Sequence, residues 1–471
     1  MVPALLILGA LGCGGGAKFT GYIPPGGGIP PSPAITTISP DVAIAGGAAF
    51  TLTVRGNNFT SNSTVEWNGN ALPTTFVSSM ELQADVAASD ISTTGSATVN
   101  LDTQNFNPSN SLPFAIESGA GFALSHVAIQ ANDMVWDPIS QQIYLSVSGS
   151  NATNGNTITA LNPSNGQLGI AQNAGSGPDQ LALSSDGSYL YAGIDGSAAV
   201  QRFTLPDLGK DISIPLGPGP GMGQYYAMQM GAAPGSPHTI AVVRGVPNES
   251  PSEQGGVVIY DDATPRPTSM PGVDSAPYAE IDSIQWGSDL THLYGENDNS
   301  SDLYVLSVDA NGVQMADDYK GAFASKNGLG PFVTHAKLHY DATTGYVYSD
   351  DGQVVNPSTG AVVGSYATSG AMVPDSTLQV AYFLGQTPAE AGGPDYTLTA
   401  FDLTNFSRIS SIIIPSVAGI PVKLIRWGTN GLAFLTNNNY SSPSTPVPGM
   451  GVYLISGTFV TSPALRRQPL Q

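Results

Sequence analysis

Apolar and polar residues alternate along most of this chain. Between residues 34 and 117, Phe50, Leu52 and Val54 fall on one side of an extended chain. Val65 and Trp67 do the same, then Leu82, Ala84 and Val86, then Ala97, Val99 and Leu101. A period of two is the signature of a strand with one buried face. Gly46-Gly47, Gly56-Asn57-Asn58 and Asn68-Gly69 break the runs where turns are needed. Six or seven short strands in about 85 residues predict an immunoglobulin-like sandwich.

From 120 to 460 the alternation acquires a longer period. An anchor residue in a β-run recurs at Tyr144, Tyr191, Ala241, Tyr294, Tyr348, Tyr382 and Phe434, with steps of 47, 50, 53, 54, 34 and 52 residues. Eight residues before the anchor stand Trp136, Leu183, Ala233, Trp286 and Tyr340, and seven before Phe434 stands Trp427. Seven units of roughly 50 residues predict a seven-bladed β-propeller. The last unit runs out one strand short after Val452-Tyr453-Leu454-Ile455. The segment from Phe122 to Ile129 precedes the first unit and has no other partner, so it is expected to supply that strand and close the ring.

Composition agrees with an all-β chain. Of 471 residues, 56 are Gly and 37 Pro, which disfavours long helices. Asp and Glu number 35 against 14 Lys and Arg, for a net charge of −21. With no basic run, the chain is a poor fit to nucleic acid or to anionic membrane surfaces.

The sandwich segment is similar to the IPT/TIG family. The resemblance rests on Ile38-Ser39-Pro40, Ala45-Gly46-Gly47, Phe50 through Phe59, Val65-Glu66-Trp67-Asn68-Gly69 and Leu112-Pro113-Phe114. It implies a spacer or adhesive module. Leu181 through Tyr191, reading LALSSDGSYLY, resembles the YVTN-type propeller repeat. That resemblance implies a surface protein or a lactonase-like enzyme, and no residue-level match to a lactonase site accompanies it.

Residues 1–13 read as an export signal. Val2 to Gly12 is apolar but too short to span a bilayer, and it ends at Cys13, the only cysteine. Ala10-Leu11-Gly12-Cys13 resembles a lipobox, which implies lipidation of Cys13 and anchoring at a bacterial outer membrane or cell surface; secretion is the alternative. Residues 14–33, rich in Gly and Pro, read as a tether, and 461–471 as a tail.

Candidate chemistry is sparse. There is no Gly-x-Ser-x-Gly, His-Glu-x-x-His or P-loop pattern. No cofactor is expected; the best oxygen cluster for calcium is Glu296, Asp298 and Asp302. If the repeated tryptophans pack between blades, their neighbours line the central channel. That register places Asp133, Gln285, Lys337, His339 and Arg426 inward, with the three basic residues favouring an anion. Leu424 shares that inward column. Tyr225, Tyr226 and Lys326 fall in long loops expected at the channel mouth. The expected function is binding or scaffolding, with a glycan, peptide or protein as ligand. The alternative is a propeller hydrolase, lyase or lactonase-like enzyme with its site at the channel mouth.

Overall fold

The alternating runs become strands in the computed structural model, which describes residues 32–47, 49–103, 109–117, 123–151, 154–219, 223–246, 254–270, 281–297, 300–324, 337–386, 396–414, 417–429, 431–437 and 449–461. Among the described residues the chain is all-β apart from single turns of helix such as Thr458–Thr461. Cys13, the proposed signal and most of the tether, Lys326, Asp298 and nearly all of the tail lie outside the described residues.

The N-terminal unit is a sandwich. One sheet runs Ala34–Ser39, Phe50–Asn57, Glu81–Val86, Thr74–Ser78. The other runs Val42–Ile44, Leu112–Glu117, Gly95–Thr103, Ser63–Trp67, Asn70–Ala71. Each inward position of the alternation is buried: Leu52, Val65, Leu82, Val99 and Phe114 are all fully covered. Phe114 packs between Phe50 and Trp67, with ring centroids 5.6 and 4.7 Å away.

After the sandwich come seven four-stranded antiparallel sheets among the described residues. Sheet one spans 131–173, sheet two 178–215, sheet three 226–265, sheet four 283–319, sheet five 338–365 and sheet six 371–414. Sheet seven takes Ile420–Trp427, Gly431–Asn437 and Val452–Ser456 from the end of the chain, and Ala123–Val127 as its outermost strand from the beginning. The first strands of successive sheets touch in order, and Ile420–Trp427 of sheet seven touches Ala131–Asp137 of sheet one, so the sheets form a closed ring.

A separate apolar cluster fills each gap between neighbouring sheets, including the gap between seven and one. The anchors explain the repeat. Tyr144, Tyr191, Ala241, Tyr294, Tyr348 and Tyr382 each belong to the cluster between their own sheet and the next. Phe434 does not follow them, for it joins the cluster between sheets six and seven and so faces backward. The register gives the cause. In sheet one the last paired residue before the hairpin is Asp137, opposite Gln142, whereas in sheet seven it is Trp427, opposite Gly431. Counted from the hairpin, Phe434 therefore corresponds to Leu145 and not to Tyr144, and a shift of one residue along a strand puts a side chain on the other face. Trp136 and Trp427 therefore come at the same gap from opposite sides, 6.5 Å apart, instead of occupying equivalent positions.

The sandwich is docked on sheet six. The Asp41 carboxylate accepts from the Ser411 backbone N–H at 2.7 Å and lies 3.3 Å from Arg408. Val42 enters the cluster between sheets six and seven, and Ile413 packs into the sandwich core.

Candidate functional site

The inner strands surround a cavity of about 490 Å³. Its polar lining includes Asp133, Gln180, Gln229, Gln285, Lys337, His339 and Lys423. Trp136 and Trp286 form part of its wall.

Three of these polar groups, Asp133, Gln229 and Lys423, bond from one sheet to another, and Ser283 and Asp350 beside them do the same. Asp133 is buried; its Oδ2 accepts from Leu181 N–H of sheet two at 2.9 Å, and its Oδ1 meets Lys423 Nζ of sheet seven at 2.6 Å. Gln229 of sheet three accepts from Ile284 N–H of sheet four. Ser283 of sheet four accepts from Leu338 N–H of sheet five at 3.1 Å. Asp350 of sheet five accepts from Met372 N–H of sheet six at 3.1 Å and is 3.0 Å from His339 Nε2. At these four joints, one to two, three to four, four to five and five to six, a side chain from one sheet satisfies a backbone donor of the next, a donor that burial would otherwise leave unpaired.

Lys337 is different. It lines the cavity half-buried, and among the described residues no hydrogen bond or ion pair engages its ammonium. Asp179 lies near it. Burial first, then the carboxylates of Asp195 and Asp133, push the Asp179 carboxyl up to about 7, while Lys337 pulls it down. Burial raises Asp195 to about 6. Burial also lowers the Lys423 ammonium, against the pull of Asp133. The Trp136 indole is half-buried at the cavity, whereas the Trp286 N–H is tied to the Gly231 carbonyl at 2.9 Å.

The structure brings Asp133, Gln285, Lys337 and His339 to one cavity. It corrects the placement of Arg426, which is not among the lining residues. Arg426 Nε pairs with Asp375 of sheet six at 2.6 Å and its guanidinium donates to the Val460 carbonyl at 2.7 Å. The same offset of one place turns Arg426, the counterpart of Trp136, toward sheet six, and Lys423, the counterpart of Asp133, takes the inward place. Leu424, expected inward, is buried between sheets six and seven.

The loop tyrosines separate. Tyr226 begins the inner strand of sheet three, and burial, then Asp179, Asp195 and Asp282, raise its hydroxyl. Tyr225 packs in the gap between sheets two and three under the Arg244 guanidinium, 4.4 Å from its ring centre. At the oxygen cluster, Asp302 is already engaged by Lys320 Nζ at 3.0 Å and Gly321 N–H at 2.7 Å. Among the described residues no three acidic, His or Cys side chains gather to hold a metal. The Asp-rich turns have a local role instead: Asp137, Asp289, Asp341 and Asp402 each accept from a backbone N–H two residues on.

Residues 33–116 match the IPT/TIG domain family. No curated protein matches the chain. Among solved structures it is similar to the β-propeller domain of Swd1 from Myceliophteria thermophila, at 10% identity and TM-score 0.47, over 70% of this chain and 96% of that one. An auxiliary nutrient binding protein from Bacteroides ovatus aligns at 10% identity and TM-score 0.36, over 90% of this chain and 98% of that one. A functionally unknown protein from Desulfotomaculum acetoxidans aligns at 10% identity and TM-score 0.42, over 69% and 92%. These similarities do not extend to function. The chain joins an IPT/TIG domain to a β-propeller.

Proposed function

We propose that this is an exported, lipid-anchored binding protein of the bacterial envelope. Its seven sheets are the blades of one YVTN-like propeller, and the cavity on the propeller axis takes a small carboxylated or sulfated saccharide. Cys13 carries the lipid, and the sandwich holds the propeller away from the membrane.

One observation carries the reading. Lys337 presents a half-buried ammonium with no described partner, in a cavity whose other polar groups are mostly engaged. An unmatched cation in a partly dehydrated cleft favours an anionic group, the more so within a chain of net charge −21. The free faces of Gln180 and Gln285 suit hydroxyls, and the half-buried Trp136 suits the apolar face of a sugar ring.

His339 and Asp350 form the one His–carboxylate pair at the cavity among the described residues. Asp350 also holds Lys337 N–H and Met372 N–H, so the pair reads as a ring fastener, which favours binding over hydrolysis.

Calorimetric titration with a trigalacturonate, against a neutral trisaccharide, tests the reading. Lys337→Gln is expected to weaken the acidic sugar about tenfold and leave the neutral one unchanged. Equal affinity in wild type and variant would sink it.

A further inference from the structure

The sandwich carries a second cavity, of about 530 Å³, independent of the channel. Phe50, Trp67, Leu72 and Val86 form an apolar floor, and Asp85 and Asp90 stand exposed among its lining. Trp67 is only 4% exposed, and among the described residues nothing accepts its indole N–H. Asp85 meets only the Thr51 hydroxyl, at 3.4 Å, and Asp90 only the Ala87 N–H, at 3.1 Å. Neither carboxylate has an ion-pair partner among the described residues.

From this cavity the chain leads into Thr74–Ser78, the last strand of its sheet, bonded on one side only. Residues 75–78 are all exposed. At the far end stand Phe76, Val77 and Met80, with exposures of 41, 49 and 61%. Cavity, open edge and apolar turn thus form one track, about 16 Å long at 3.3 Å per residue. The pairing slips between Phe76 and Ser78, which interrupts the regular ladder edge, so recognition along the track rests mainly on side chains.

We propose that this track binds an extended segment of a partner protein in which apolar residues alternate with Lys or Arg. An apolar side chain fills the Trp67 pocket and the flanking cations meet Asp85 and Asp90. Charge selects this occupant over a second copy of the chain. Residues 34–117 contain one Arg and seven Asp or Glu, so two sandwiches repel each other.

The test is fluorescence anisotropy of a labelled Lys/Ile hexapeptide titrated with the full chain at low salt. Binding is expected, with a Glu/Ile peptide at least tenfold weaker. Asp85→Asn with Asp90→Asn is expected to weaken the Lys/Ile peptide about fivefold. Asp102→Asn with Asp317→Asn removes the same charge from exposed sites elsewhere and should change it less than twofold. Phe76→Ser with Met80→Ser should weaken it severalfold. Equal losses from the two charge pairs would reveal diffuse attraction and overturn the proposal. So would indifference to both the carboxylate and the apolar changes. Self-association in sedimentation, abolished by Met80→Ser, would make the occupant a second copy and overturn it as well.

Discussion

The sandwich and the ring are built from the same alternating strands but treat their edges differently. The ring leaves no sheet of the cycle unfastened: each gap holds an apolar cluster, and Ala123–Val127 covers the outer side of the last hairpin. The sandwich leaves Thr74–Ser78 open. The difference shows in the polar residues. Inner polar side chains of the ring are mostly bonded to a neighbouring sheet, as Asp133, Gln229, Ser283 and Asp350 are. Those at the sandwich rim, Asp85 and Asp90, make only local contacts. A closed assembly uses many of its polar groups for closure, so an ammonium left unengaged among the described residues, that of Lys337, stands out and carries the proposed anion site.

The strongest way to break this contrast is to reopen the ring. Replacing Ala123–Val127 with a Gly/Ser segment of equal length removes five paired positions and bares Val452–Ser456. Five cross-strand pairs together with the poor strand propensity of Gly amount to about 4 kcal/mol. Thermal unfolding should move down markedly, and the exposed edge should promote aggregation. A soluble variant melting with wild type would show that the hairpin, not the chain's return, completes the last sheet.

Much of this was legible in the sequence. Period two located the sandwich because each of its strands buries one face, and Phe50, Leu52 and Val54 lie inside as the pattern requires. The long period located the sheets because one large side chain per repeat fills each gap, as Tyr144, Tyr191, Tyr348 and Tyr382 do. Parity was the weak point. Trp427 and Phe434 stand one place further along the ladder than Trp136 and Tyr144, which leaves the spacing of aromatics almost unchanged and reverses what they face, so Arg426 read as inward while Lys423 went unnoticed. The joints between sheets were not legible at all. Nothing local in Asp133 or Ser283 tells that its hydrogen-bond partner lies 48 or 55 residues further on.

The Asp133–Lys423 pair sharpens the contrast at one joint. Lys423→Met leaves a buried carboxylate facing no cation, although the N–H groups of Met134 and Leu181 still hold it. Loss of one partner of a buried pair costs about 3 kcal/mol, eased here by those two donors. Adding Asp133→Asn should restore part of that stability, because the remaining amide needs no cation. Denaturant midpoints of the single and double variants read this directly. A double variant less stable than Lys423→Met would mean that Asp133 acts through its other bonds alone.

The last contrast concerns an inner carboxyl that fastens no neighbouring sheet. Asp179 has a folded-state value of about 7, raised by burial and by its acidic neighbours, against about 3.9 for an exposed aspartate. Between those values the folded chain holds a proton that the unfolded chain has released. Stability from this group is therefore greatest below about pH 4 and declines as pH rises toward 7. Asp261 and Asp262, whose carboxyls Arg266 and Arg202 hold below the usual range, act oppositely and lose their contribution only in stronger acid. Asp179→Asn keeps the shape and removes the charge. Its melting temperature should exceed that of wild type at pH 8 and converge with it near pH 4. Parallel curves across that range would mean that the carboxyl is charged at no cost, with Lys337 as its counter-ion, and the cavity would then lose the unmatched cation on which anion recognition depends.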